Sequence, residues 1–230
     1  MTPSLLDWRQ AAAMIDHTQL RADASTSQIE LLCREAAAYG FYSVMVNPCR
    51  VAECVQSLDG SPVRTGTVIG FPLGATTTRA KLCESEEMLE LGAAELDMVL
   101  NAGLLKSGRL DRAEAEIAQL AALAHSGGAK LKVILEMCLL TETEKIAACR
   151  AAQLAGADFV KTSTGFAAGG ATVADVRLMR ATVGAEMGVK AAGGIRTKDD
   201  FLAMAAAGAN RVGCSAGVAI VRALGAPEMK

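Results

Sequence analysis

The stretch Ala155–Phe166, AGADFVKTSTGF, decides the fold. Its glycine closes a helical run, Phe159 and Val160 form the tail of an apolar strand, and Lys161 follows directly where the strand ends. The same shape recurs as LGAAE (91–95) and AGANR (207–211), a helix stopped by glycine and then a strand. Working outward, strands are predicted at 14–17, 42–46, 64–70, 94–100, 131–136, 158–161, 188–192 and 210–213. Helical patterns lie between them at 29–38, 81–91, 112–124, 142–154, 173–182 and 197–207. Thr141 with Glu144, and Thr197 with Asp200, have capping-box spacing at two helix starts. Eight strands alternating with helices mean parallel βαβ units, and eight units in 230 residues match a closed (β/α)8 TIM barrel. An open doubly wound sheet would need a glycine-rich fingerprint after the first strand, and MIDHTQLRADAS (14–25) has none. With no linker or composition break, residues 1–230 are expected to form one barrel domain, with 1–13 a short helix over its floor.

Composition excludes several functions. The net charge is −2, so no basic field invites nucleic acid. No apolar run reaches the roughly 18 residues of a membrane span, and Asp7 and Arg9 interrupt the place of a signal peptide. A cytoplasmic protein is expected. Seven cysteines, an odd number without C-x-x-C spacing, read as reduced core thiols. Two histidines, with neither H-x-H nor HExxH, leave no tight transition-metal site in prospect.

In such barrels the C-terminal strand ends face a common site. Those ends supply Asp16, Asn47, Asp97, Asn101, Glu136, Lys161 and Lys190. Lys190 stands in GVKAAGGIRT (188–197), on the strand after that of Lys161. Adjacent strands are about 4.8 Å apart, so the two amines should be neighbours. A lone strand-end lysine would snorkel to the rim. Two together repel and are desolvated, and both effects lower the pKa. An ordinary lysine is neutral only ~0.04% of the time at pH 7, whereas a pKa near ~7.5 makes that roughly a quarter. A neutral amine can attack a carbonyl and form an electron-withdrawing iminium. Spacing does not settle which lysine attacks; the hydroxyls of TSTG (162–165) favour Lys161, with Lys190 tuning it. Asp97 in ELDMVLN (95–101) shares a face with Glu95, as a structural ion pair or a proton shuttle beside Lys190. Asp16 holds a substrate hydroxyl or caps a helix.

Three glycine-bearing segments follow strands six, seven and eight: STG (163–165), GGIRT (193–197) and GCSAG (213–217). Barrels often bind phosphate after strands seven and eight. Thr164, Gly165, Gly193, Gly194, Gly213 and Ser215 are therefore expected to line a substrate cup, with Arg196 supplying charge. The turn in VIGFPLGATT (68–77) would wall the pocket.

The segments IDHTQL, VIGFPLG, ELDMVLN, KVILE, DFVKTSTGF, VKAAGGIRT and RVGCSAG, in this order over most of the chain, resemble the class I, Schiff-base-forming deoxyribose-phosphate aldolase family. The resemblance implies that Lys161 forms the iminium and that Lys190 and Asp97 transfer protons. It further implies cleavage of 2-deoxy-D-ribose 5-phosphate to glyceraldehyde 3-phosphate and acetaldehyde, with no metal or organic cofactor. Partners would be small sugar phosphates and aldehydes, and a second copy of the chain in a homo-oligomer, expected as a dimer. Three positions depart from the family pattern. Met45 stands for a cysteine, Ala192 for the serine of VKASGG, and Ala216 follows Ser215 where a further hydroxyl is common. Fewer hydroxyls at the phosphate end predict weaker phosphate affinity. The rival readings are a Schiff-base aldolase for another sugar phosphate, a non-catalytic phosphometabolite-binding barrel, and a pyridoxal phosphate enzyme.

Overall fold

The computed structural model describes residues 6–229. Its strands are β1 (Ile15–Gln19), β2 (Ser43–Val46), β3 (Arg64–Ile69), β4 (Glu95–Val99), β5 (Lys130–Ile134), β6 (Phe159–Lys161), β7 (Gly188–Ala192) and β8 (Arg211–Cys214). All pair parallel in sequence order, and β8 returns to β1 through Asp16↔Gly213, closing the barrel. The helices are α1 (Trp8–Ala12), α2 (Thr26–Tyr39), α3 (Val51–Ser57), α4 (Thr78–Glu90), α5 (Ala102–Lys106), α6 (Leu110–Ser126), α7 (Glu142–Leu154), α8 (Val173–Val183), α9 (Lys198–Ala206) and α10 (Gly217–Ala223). Each predicted strand is present to within two residues at either end. Helix α7 has the predicted bounds, whereas α3, α5 and α10 fall where no helix was predicted. Of the expected N-terminal helix, α1 is present and packs on α10, and residues 1–5 lie outside the described part.

Local chemistry fixes these bounds. The two capping boxes form: Thr141 N donates to Glu144 at 2.8 Å, and Thr197 N donates to Asp200 at 2.9 Å. Such caps contribute about 1 kcal/mol each. Gly92, Gly156 and Gly208, the glycines of the three repeated motifs, all have positive φ, as a chain leaving a helix for a strand requires. Alternation then sorts the barrel wall. On β5, Leu131 and Val133 join Ile117 and Leu120 of α6 in the outer core, while Lys132 between them turns inward. Each fully buried side chain of that apolar kind contributes roughly 1.5–3 kcal/mol, which is why the register is not free to slip.

Candidate active site

The barrel interior holds ions where apolar layers are usual. The closing registers stack them: Lys161 is opposite Lys190, and Asp97 is opposite Lys132. Asp97 Oδ2 accepts from Lys161 Nζ at 2.9 Å and from Lys190 Nζ at 2.7 Å, while its Oδ1 accepts from Lys132 Nζ at 2.7 Å. Below this level Lys132 pairs with Glu95 at 2.7 Å. Arg211 reaches Asp16 at 2.8 Å and Glu95 at 3.1 Å, with its guanidinium over the Tyr42 ring. Asp16 Oδ2 lies 2.5 Å from Lys190 Nζ, close but off-axis for a hydrogen bond, and its Oδ1 accepts from Ser43 Oγ at 2.8 Å. The chain of ions runs from a cleft at the top to the Arg211–Tyr42 stack at the floor.

Four basic groups, Lys132, Lys161, Lys190 and Arg211, thus face three carboxylates, Asp16, Glu95 and Asp97. Burial opposes every charge here. For Asp97 and Asp16 burial acts upward, yet the surrounding lysines outweigh it and hold both carboxyls below the usual range. Burial likewise acts against the Lys132 ammonium, but Asp97, Glu95 and Asp16 overcome it and raise its pKa. Lys161 goes the other way. Burial is the largest cause, and repulsion from Lys190 and Lys132 reinforces it against the pull of Asp97, bringing the amine down to about 8. The amine whose pKa burial lowers is also the one that opens to the cleft: Lys161 lines it, while Lys132, Lys190 and Asp97 are fully buried beneath.

The cleft encloses about 430 Å³. Besides Lys161 it is lined by Thr164, Gly165, Gly193, Gly194, Arg196, Gly213 and Ser215, so the structure brings together every residue predicted for the substrate cup. Arg21 and Thr18 close the opposite side. Two of these glycines stand in close quarters. A Cβ on Gly193 (φ 88°) would meet the Gly170 backbone at 3.0 Å, and one on Gly213 would press to 3.0 Å on Lys190 Cε. Gly213 therefore makes room for the buried lysine as well as lining the cup. At the N-terminus of α9, Asp200 already accepts from Arg196 N at 3.0 Å and Thr197 N at 2.9 Å. The predicted wall from Gly70 to Leu73 does not line this cleft; Phe71 stands behind it, its ring edge-on at 5.1 Å between centroids to Phe166, which does line the cleft.

Asp16 is neither a helix cap nor a cleft residue; it lies mid-strand, fully buried, with its oxygens engaged by Ser43, Arg211 and Lys190. Asn47 stays at the rim, 3.4 Å from Arg21 O, and Asn101 precedes α5 outside the ion network. Lys132 and Arg211 had no predicted role. Lys132 stands between Leu131 and Val133 but follows Lys130, and Arg211 follows Asn210, so neither has the apolar lead-in of Lys161. Met45 packs with Leu20 and Val68 inside the barrel, where Gly66 leaves space for its methyl. Not all thiols are core: Cys49, Cys83 and Cys138 are exposed, and Cys33, Cys54, Cys149 and Cys214 are buried. Among the described residues no three His, Cys, Asp or Glu side chains group as metal ligands, and no helix is long and apolar enough to cross a membrane.

Comparison with known proteins adds independent findings. Residues 10–224 match the DeoC family, described as DeoC/LacD family aldolase. A deoxyribose-phosphate aldolase from Thermococcus gammatolerans is 58% identical over 212 residues, covering 91% of this chain and 94% of that protein. The structure superposes on a candidate deoxyribose-phosphate aldolase from Coccidioides immitis with a TM-score of 0.91 at 45% identity, covering 95% of this chain and 87% of that one. It also superposes on a deoxyribose phosphate aldolase from Aeropyrum pernix, of tetrameric structure, with a TM-score of 0.87 at 33% identity, covering 96% of this chain and 98% of that one.

Proposed function

The chain belongs to the DeoC/LacD family of aldolases, and on that premise we propose that Lys161 is the amine through which it cleaves its sugar phosphate. The protein is a lyase that splits 2-deoxy-D-ribose 5-phosphate reversibly into D-glyceraldehyde 3-phosphate and acetaldehyde through a lysine Schiff base. One observation carries the assignment of the amine. Lys161 is the only lysine of the network that reaches the cleft, and it shares a single oxygen of Asp97 with Lys190.

The steps follow from that geometry. Neutral Lys161 attacks C1 of the open-chain aldehyde, and a proton passes to the new oxygen to give the carbinolamine. Protonation of that hydroxyl releases water and leaves the iminium, a cation next to C2. A base removes the C3 hydroxyl proton, the C3–O electrons form the new carbonyl, and the C2–C3 pair moves into the C2–C1 bond to neutralise the iminium as an enamine. Glyceraldehyde 3-phosphate departs. Protonation at C2 and hydrolysis then free acetaldehyde and return the amine. Lys190 is 2.7 Å from the same Asp97 oxygen that binds Lys161, so a proton leaving one amine has a carboxylate and a second amine within one hydrogen bond. Asp97 and Lys190 are buried, and they act on the substrate through Lys161 and through water at the cleft floor.

The phosphate end of the substrate belongs with Gly193, Gly194, Gly213 and Ser215, with the Arg196 guanidinium at the exposed rim. Backbone N–H groups and one hydroxyl carry this role, since Ala192 and Ala216 offer none. As in its tetrameric relative, a homo-oligomer is the working form, and a dimer is its smallest unit. The free thiols suit a reducing compartment and so support a cytoplasmic protein. Borohydride reduction in the presence of acetaldehyde tests the assignment directly. Intact mass should rise by one ethyl group, and peptide mapping should find it on Lys161. An unmodified protein, or a label on another lysine, overturns it.

A further inference from the structure

Glu136 is the only residue other than glycine with positive φ among the described residues (54°). Side chains are disfavoured in that left-handed region, so the surroundings must hold it there. It stands just beyond β5, where the pairing with the β6 side slips. Leu135 N donates to Lys161 O at 2.9 Å, and Met137 N donates to Thr162 O, also at 2.9 Å. The β5 side advances two residues while the β6 side advances one. That is a bulge, the device by which a strand end re-aims a side chain beside a site.

The re-aimed carboxylate has a single target. Glu136 is 5% exposed, and both its oxygens lie 3.3 Å from Thr164 N. The Thr164 hydroxyl also donates to Glu136 Oε2. In turn, Thr164 Oγ1 accepts from Phe166 N at 3.1 Å. A hydroxyl has one proton and two lone pairs, and a carboxylate only accepts. With its proton committed to Glu136 and one lone pair to Phe166 N–H, Thr164 has one lone pair left to offer. Thr164 lines the cleft together with Lys161.

We propose that Glu136 is a positioning residue that fixes Thr164 Oγ1 as a hydrogen-bond acceptor for a hydroxyl of the open-chain sugar beside Lys161. Glu136 itself lies on the other side of Thr164, in a small apolar cavity with Leu100 and Phe166, and touches no reacting atom. The bulge explains the unusual backbone: without it the carboxylate would not meet both the N–H and the O–H of one threonine. The inference rests on Lys161 forming the Schiff base, which adduct mapping tests separately. A wild-type label away from Lys161 refutes that reading, whereas a correctly labelled enzyme indifferent to Glu136 refutes only this one.

The test is a double-mutant cycle on kcat/KM for the 5-phosphate sugar, with Glu136→Gln, Thr164→Val and both together. Glu136→Gln should lower kcat/KM about tenfold to a hundredfold, the range for losing a hydrogen bond to a charged partner. In the Thr164→Val background the same change should have less than about a threefold effect, since its target is gone. The pH midpoint of kcat/KM should stay at the wild-type position. Equal losses in both backgrounds would mean a carboxylate that only supports the fold, and a Glu136→Gln enzyme within twofold of wild type would leave it no role. Both results overturn the proposal. Glu136→Gly supplies a second variant that the left-handed backbone accepts freely. It should melt as a folded protein and show the same loss, and full activity there also overturns the proposal.

Discussion

Replacing Lys190 with methionine keeps an unbranched side chain one atom shorter and removes one charge. Lys161 and Lys190 lie 2.9 Å and 2.7 Å from the same Asp97 oxygen, so their nitrogens are close neighbours. Two unit charges about 5 Å apart at an effective dielectric of about 20 repel by about 3 kcal/mol, which corresponds to about two pH units in a titration. The substitution removes this push and leaves more of Asp97 to Lys161. Both changes favour the ammonium form. Burial, the largest cause of the lowered pKa, is the same in both proteins. The Lys161 titration should therefore move from about 8 toward roughly 10. At pH 7.5 the neutral fraction then falls from about a quarter to below about 1%, and kcat/KM should fall roughly thirtyfold or more. The assay is kcat/KM from pH 6 to 10.5, which reports the free enzyme, alongside the rate of borohydride trapping. Raising the pH should recover trapping fully and turnover partly, because the variant also lacks a proton carrier. A midpoint that stays in place or moves to lower pH would refute the electrostatic account.

Two other outcomes follow from the same network and from the cup. Lys161→Met should abolish adduct formation and turnover yet make the fold more stable at pH 7 by up to about 3 kcal/mol. A lysine whose folded pKa is about 8 against an ordinary 10.5 destabilises the fold while protonated and ceases to do so as pH rises from about 8 to 10.5. The advantage of the variant in urea melts should shrink across that window, and a variant less stable than wild type at pH 7 would contradict the sign. Arg196→Ala should raise KM for the 5-phosphate sugar about tenfold and leave cleavage of the unphosphorylated sugar within about twofold, as expected for a lost charge-assisted contact; equal effects on both sugars would remove Arg196 from the phosphate end.

The strands were legible because each is short and apolar and all but β1 follow a glycine at the end of the preceding segment. The missed helices α3, α5 and α10 are short and begin without a side-chain cap. Helix α5 has five residues and begins directly after Asn101, and α10, GVAIVRA, has the β-branched composition of a strand. Lys161 and Lys190 stood out because Phe159, Val160 and Val189 precede them. Lys132 was hidden by Lys130, two residues before it on the same face. Lys-Leu-Lys reads as a solvated edge, and only closure of the barrel turns the second lysine inward while the first stays exposed. Glu136 was marked as a polar strand end, but nothing in the sequence marks its backbone, because a positive φ on a residue other than glycine comes from tertiary contacts rather than from propensity.

The composition of the network explains why the neutral group is a lysine at the cleft. An apolar filling of the same volume would often be as stable or more so, so the ions need a reason beyond the fold. One lysine alone in an apolar barrel would lose its proton through burial, but it would have no acid or base beside it. One lysine with one aspartate would keep its charge and could not attack. Four cations held by three carboxylates avoid both outcomes. The surplus proton leaves from the position with the weakest hold on a carboxylate. Lys132 has both Asp97 and Glu95 at 2.7 Å, and Lys190 has both Asp97 and Asp16. Arg211 has Asp16 and Glu95, whereas Lys161 has Asp97 only, at the longest of the three lysine distances to that group. The amine with one carboxylate partner is therefore the one whose pKa falls, and because β6 ends at Lys161 it is also the one that faces the cleft.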